Sequence, residues 1–148
     1  MSCIRFNTPA QRRQMAAMAP SMLTAEEAAR LHPAPPVTES KINRLRIMAK
    51  DANPKIRESV AASYHAPEEV YAELATDPDD GVRGWIARNE SVPCDILRTL
   101  ADDESETVRG WLALNFFVPA DVMERLADDP SETVRGLVAW KSGLAEAV

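Results

Sequence analysis

Four arginines stand 26 residues apart along the chain, each directly behind a β-branched residue: Arg57, Arg83, Arg109 and Arg135. A row of planar guanidinium forks at even spacing suggests bidentate capture of phosphates or carboxylates. The same interval separates Asp51, Asp77, Asp103 and Asp129. Cations and anions that recur together point inward, each arginine pairing with an aspartate of its own or an adjacent repeat. The ladder is therefore read as a set of internal clamps.

A second pattern lies beside it: Gly84-Trp85 and Gly110-Trp111, continued as Gly136-Leu137. On a helical wheel started at Val82, Ile86 and Asn89 mark the buried side, while Gly84 falls at about 200° and Arg88 at about 240°. Trp85 sits on the shoulder between them. Glycine within a helix costs about 0.5–1 kcal/mol relative to alanine, so its recurrence calls for close approach of the next helix or of a partner. An exposed pair of tryptophans, each burying roughly 150–250 Å² on contact, would make a binding hot spot. The competing role, in which the rings wedge between consecutive helices as core, carries more weight for the rings themselves. The expected partner-binding surface is Gly84, Trp85, Arg88, Gly110, Trp111 and Leu114.

Other chemistry is poorly represented. His32 and His65 have no acid or cysteine spacing that would make a metal site. Cys94 follows a proline at the start of a short helix but has no neighbouring base, and Cys3 stands far from it in an unlike context. There is no phosphate-cradling glycine loop, serine elbow or histidine-glutamate motif. The expectation is a non-enzyme with no metal and no cofactor. Two unlike cysteines fit a reduced cytoplasmic chain. No apolar stretch is long enough for a bilayer, and residues 1–20 lack the apolar run of a secretory signal.

The elements that hold these residues follow from the repeat itself. Leu74-Ala75-Thr76-Asp77, Leu100-Ala101-Asp102-Asp103 and Leu126-Ala127-Asp128-Asp129 open three copies, and Met48-Ala49-Lys50-Asp51 a more divergent one. Each copy predicts two short helices. In the first, the aspartate caps the helix in a capping-box arrangement, with proline at the first helical position at Pro78 and Pro130. It should end near Asn89 or Asn115, asparagine tolerating a left-handed C-terminus. The second helix begins at Pro67, Pro93 or Pro119 and carries Val70/Leu74, Ile96/Leu100 or Val122/Leu126 on one side. Neither is long enough to be stable alone. The asparagine row continues at Lys141.

Ahead of the repeats, Thr24-Ala25-Glu26-Glu27 opens a short helix to about Leu31, and Pro33-Ala34-Pro35-Pro36 follows as a stiff linker. Ile42, Leu45, Ile47 and Met48 suggest a helix over 38–50 that caps the first repeat. This gives a basic arm over residues 1–37 and a repeat domain over 38–148. At the far end Val148 stands in the register of Val122, leaving a final helix barely formed. Residues 1–50 carry eight Lys/Arg and three Asp/Glu, a net +5, and the remainder nine and twenty, a net −11.

The unit Leu-Ala-x-Asp-x(4)-Val-Arg, then Ala-x-Asn, then Pro-x-Asp/Glu-Ile/Val resembles the leucine-rich repeat variant family of bacterial proteins over residues 48–148. It is more distantly similar to HEAT and armadillo repeats. The resemblance implies an all-α, right-handed α-solenoid of about four 26-residue two-helix repeats with an N-terminal helical cap, α-helices alternating with short 3₁₀-type helices. Some members carry a cysteine-ligated iron–sulfur cluster. With Cys3 alone before residue 94 the four thiolates are missing, so that cofactor is not carried over. The leading functional expectation is a scaffold for protein–protein interaction, with a neutral or basic partner steered by the acidic array. The alternative is nucleic-acid binding through the basic arm (Arg5, Arg12, Arg13, Arg30, Lys41, Arg44, Arg46, Lys50), against which the acidic array stands. The arm folding back to mask the repeats is a third reading, and homodimerisation through the Ala139-Trp140 end is a further expectation.

Overall fold

The computed structural model describes residues 36–146 together with Glu26, Arg30 and Leu31, and divides the chain between Pro36 and Val37. Of the helix expected after Thr24, those three residues are described, and all are helical. The readings made for residues 1–25, for most of the proline-rich linker and for Val148 lie outside the described residues.

From Thr38 onward the order is α1 (Glu39–Met48), α2 (Pro54–Ala61), α3 (Glu68–Leu74), α4 (Asp80–Arg88), α5 (Cys94–Thr99), a 3₁₀ turn (Leu100–Asp102), α6 (Glu106–Leu114), α7 (Ala120–Ala127) and α8 (Glu132–Glu146). Among the described residues every regular element is helical. The helices form pairs with repeat-like long-range packing: α2 lies against α4, α4 against α6, and α6 against α8. The second helices α3, α5 and α7 are α-helical, and among the described residues 3₁₀ geometry is confined to the turn after α5, which corrects the alternation expected of them.

Short helices of this kind survive only through their buried sides. Val82, Ile86 and Ala87 of α4, Val108, Leu112 and Ala113 of α6, and Val134 and Val138 of α8 are buried, spaced four or five apart as one helix side requires. Val70, Tyr71 and Leu74 of α3, Ile96 and Leu97 of α5, and Val122 and Leu126 of α7 close the same core. In α1, Leu45 and Met48 pack against it, whereas Ile47 is 75% exposed and takes no part.

The first helices start two residues later than the capping aspartates suggested. Asp51, Asp77, Asp103 and Asp129 each accept the backbone N–H two positions ahead, at 2.8, 2.9, 2.8 and 2.8 Å. These are Asx turns, and they spend the aspartate before the helix begins. The caps are Asn53, Asp79 and Ser105, so Pro78 and Pro130 lie outside their helices and Pro54 alone occupies a first turn. Asn89 and Asn115 end α4 and α6 in extended backbone (ψ 120° and 126°), not in the left-handed region. Pro67, Pro93 and Pro119 are the caps of α3, α5 and α7. In α8 the asparagine register holds Lys141 and the proline register Ala145. Nothing breaks the helix there, and it runs on to Glu146 as a full 15-residue element.

Candidate functional site

Two sets of periodic side chains organise the surface between neighbouring first helices. The first is the arginine–aspartate ladder. Arg57 donates through Nε and Nη2 to both carboxylate oxygens of Asp77, at 2.6 and 2.8 Å. Arg83 does the same to Asp103 (2.7 and 2.9 Å) and Arg109 to Asp129 (2.7 and 3.1 Å). Each arginine is thus matched to the aspartate 20 residues ahead, in the following loop. Its Nη1 donates to the carbonyl of its own loop's aspartate: Asp51, Asp77 and Asp103, and for Arg135, Asp129. The paired side chains are largely buried, 9% exposed at Arg83 and 6% at Asp103. Burial by itself would raise the Asp77 and Asp129 carboxyls. The arginine forks and the Asx-turn N–H outweigh it and hold both below the ordinary carboxylate range.

The asparagine row closes the opposite ends of the same helices. Asn89 Nδ2 donates to the carbonyls of Ala61 and Ser63, and Asn115 Nδ2 to those of Ala87 and Asn89. The Ala61 and Ala87 carbonyls are orphans left at the end of the preceding first helix, whereas Ser63 and Asn89 also accept from Tyr71 Oη and the Val92 N–H. Lys141 serves the carbonyls of Ala113 and Asn115 in the same way, its ammonium destabilised by burial. No buried side-chain nitrogen or oxygen among the described residues lacks a partner.

The second set is glycine and tryptophan. Gly84 and Gly110 are buried, which corrects their placement on an outward face. A Cβ on Gly84 would stand 3.4 Å from Trp111 Cδ1, and one on Gly110 would stand 3.4 Å from Leu137 Cδ1. The glycines therefore seat the large side chain of the next first helix. Trp85 and Trp111 remain 36% and 37% exposed, neither core nor fully free. Arg88 lies between them, its guanidinium carbon 4.5 Å from the Trp85 ring centre and 4.2 Å from that of Trp111. Each such stack is worth about 0.5–1 kcal/mol at an exposed site.

Around this sandwich opens a cavity of about 390 Å³ whose walls include Lys55, Glu58, Asp80, Trp85, Arg88 and Trp111. Lys55 Nζ is paired with Glu58 Oε1 at 2.7 Å, and Asp80 accepts a hydrogen bond from Ser105 Oγ at 3.1 Å. A second cavity, about 230 Å³, lies between Trp111, Leu114 and Leu137, with Glu106 at its edge. A third, about 220 Å³, joins Tyr64 and Glu90 to the other side of Trp85 and Arg88. Trp140 shares the 26-residue register of Arg88 and Leu114 and is 58% exposed. Of the six residues expected at the surface, Trp85, Arg88, Trp111 and Leu114 border these cavities from the outside, while Gly84 and Gly110 form their buried floor. Lys55, Glu58, Asp80 and Tyr64 were not expected there, although Glu58 falls in the glycine register and could have been found by asking what replaces glycine in the first copy.

Among the described residues no group of three or more His, Cys, Asp or Glu could hold a metal ion, and Cys94 is an exposed free thiol. No described helix is long and apolar enough to cross a membrane. Comparison with protein-family models, curated proteins and solved structures returned no match.

Proposed function

We propose that the chain is a non-enzymatic helical-repeat scaffold that binds another protein through the strip running from Trp85 to Leu137. The observation that carries this reading is the tryptophan pair. The Trp111 ring is seated against Gly84, both rings are fixed by Arg88, and both still leave more than a third of their surface to solvent. Rigid aromatic side chains held half-exposed present contact area with little entropy left to lose on binding, which is how interface hot spots are built. The architecture we infer behind it is four 26-residue two-helix units in a right-handed solenoid of the leucine-rich repeat variant type. Its ladder supports this, since Arg57, Arg83 and Arg109, like Asn89 and Asn115, each tie their own unit to a neighbour in the same way. We place it in the cytoplasm, as its cysteine usage suggests.

The test is affinity capture from the native host with the full chain and with a Trp85→Ala/Trp111→Ala variant. Loss of the captured protein, with the helical circular dichroism signal retained, is the expected result. A folded double variant that keeps every partner would remove this surface from consideration.

A further inference from the structure

Arg88 differs from the ladder arginines in how it is held. Arg57, Arg83 and Arg109 are gripped by carboxylate forks, and Arg98 by Asp121 and Asp95. Arg88 contacts two indole faces, and among the described residues no carboxylate or carbonyl accepts from its guanidinium. It sits at the last position of α4, so its side chain can swing away without disturbing the helix.

The charges lining the larger cavity balance only while it stays; beyond that lining, Glu90 stands beside Arg88 and Arg83 feels the Asp80 charge. Four charged groups line the 390 Å³ cavity, Lys55 and Arg88 against Glu58 and Asp80. Lys55 and Glu58 neutralise each other as a close pair. Asp80 has no cation of its own in the cavity other than Arg88. If Arg88 leaves, the space between Trp85 and Trp111 has two aromatic faces, one net negative charge and the shape of a guanidinium.

We infer that the Trp85–Trp111 slot is a receptor for an arginine side chain of the partner protein, and that Arg88 is the resident stand-in it displaces. This deepens the scaffold reading and rests on it: the strip is the interface, and the slot is its specificity point. The partner segment is basic and bears arginine, which stacks its flat guanidinium between two rings better than the compact, strongly hydrated ammonium of lysine. Exchange of one guanidinium for another keeps the cavity neutral.

The prediction is that removing a positive charge-bearing contact residue strengthens binding. Synthetic peptides of alternating glycine with arginine, lysine or glutamate are titrated against the full chain, with tryptophan fluorescence and calorimetry as readouts. Arg88→Ala should bind the arginine peptide about five- to thirtyfold more tightly than wild type, the factor set by losing the internal competitor's two stacks. Arg88→Lys should fall between the two, and Asp80→Asn should remove the gain when added to Arg88→Ala. Equal or weaker binding by Arg88→Ala, or no binding by either protein, would overturn the stand-in role. Preference for the glutamate peptide, lost in Arg88→Ala, would also overturn it, showing that the guanidinium edge itself takes a carboxylate. The broader reading fails separately: it falls if Trp85→Ala/Trp111→Ala keeps its native partners, whatever Arg88→Ala does.

Discussion

At the scale of single residues, the arginine–aspartate rungs pair residues 20 apart, joining one helix to the following loop, with both partners largely out of water. Two charges in that setting are strongly interdependent, because removing one leaves the other desolvated and unpaired. Asp103→Ala should therefore destabilise the protein by about 3–5 kcal/mol in denaturant unfolding, while Asp103→Ala combined with Arg83→Met should cost clearly less than the sum of the single changes. The rungs also set the acid response. Asp77 and Asp129 titrate lower in the folded protein than the ordinary value of about 3.9. As pH falls, the unfolded chain takes up these protons first. The stabilisation is thus complete above the unfolded pKa and lost as pH drops through the folded one. A pH series of melting temperatures should fall below about pH 4, and Asp77→Asn/Asp129→Asn should start lower and fall less steeply. The pairing was legible in the sequence from two matching 26-residue beats. Its direction was not, since nothing in one copy says whether the fork reaches backward, inward or to the next loop.

At the scale of the helix, neighbouring first helices are joined by what one supplies and the next lacks. α6 ends with orphan carbonyls, and Lys141 of α8 donates to them; α4 ends likewise, and Asn115 of α6 donates. Asn115→Ala should cost about 1–3 kcal/mol, chiefly the desolvation of the Ala87 carbonyl left unpaired, since the Asn89 carbonyl keeps the Val92 N–H, and calorimetric melting will measure it. The glycine seats behave differently. At 3.4 Å from Trp111, a methyl group on Gly84 makes an ordinary contact, and alanine is the better helix former. Gly84→Ala should leave stability unchanged or raise it by up to about 1 kcal/mol. Gly84→Leu has no room and should evict Trp111, seen as a red shift of its fluorescence with a loss of stability. Helix positions followed from the apolar spacing, but the starts of α4, α6 and α8 lay two residues later than the aspartates implied. An aspartate can cap a helix or brace an Asx turn, and local sequence does not separate the two.

At the scale of the molecule, the proposed 26-residue architecture, joined by like rungs, would make its units interchangeable. An in-frame deletion of residues 90–115 brings Asn89 next to Phe116 and places Asp129 where Asp103 had stood relative to Arg83. The shortened chain should fold, keep its helical signature, and unfold with a smaller denaturant dependence in proportion to the surface lost. Collapse to an unfolded chain would contradict the proposed 26-residue architecture. What the sequence determined by itself was periodic: the helix pairs, the buried sides, the recurrence of charge with countercharge. Such features are set by residues within one copy and repeat wherever the copy does. What only the tertiary structure decided lies between copies. It buried Gly84 and Gly110 beneath the next helix's side chain, held Trp85 and Trp111 half in solvent, and drew Arg88 between them with Glu58 and Asp80 nearby. A helical wheel assigns one side to the core and leaves the other to water. The neighbouring helix covers part of that second side, and how much it covers depends on distances between helices that no single repeat encodes.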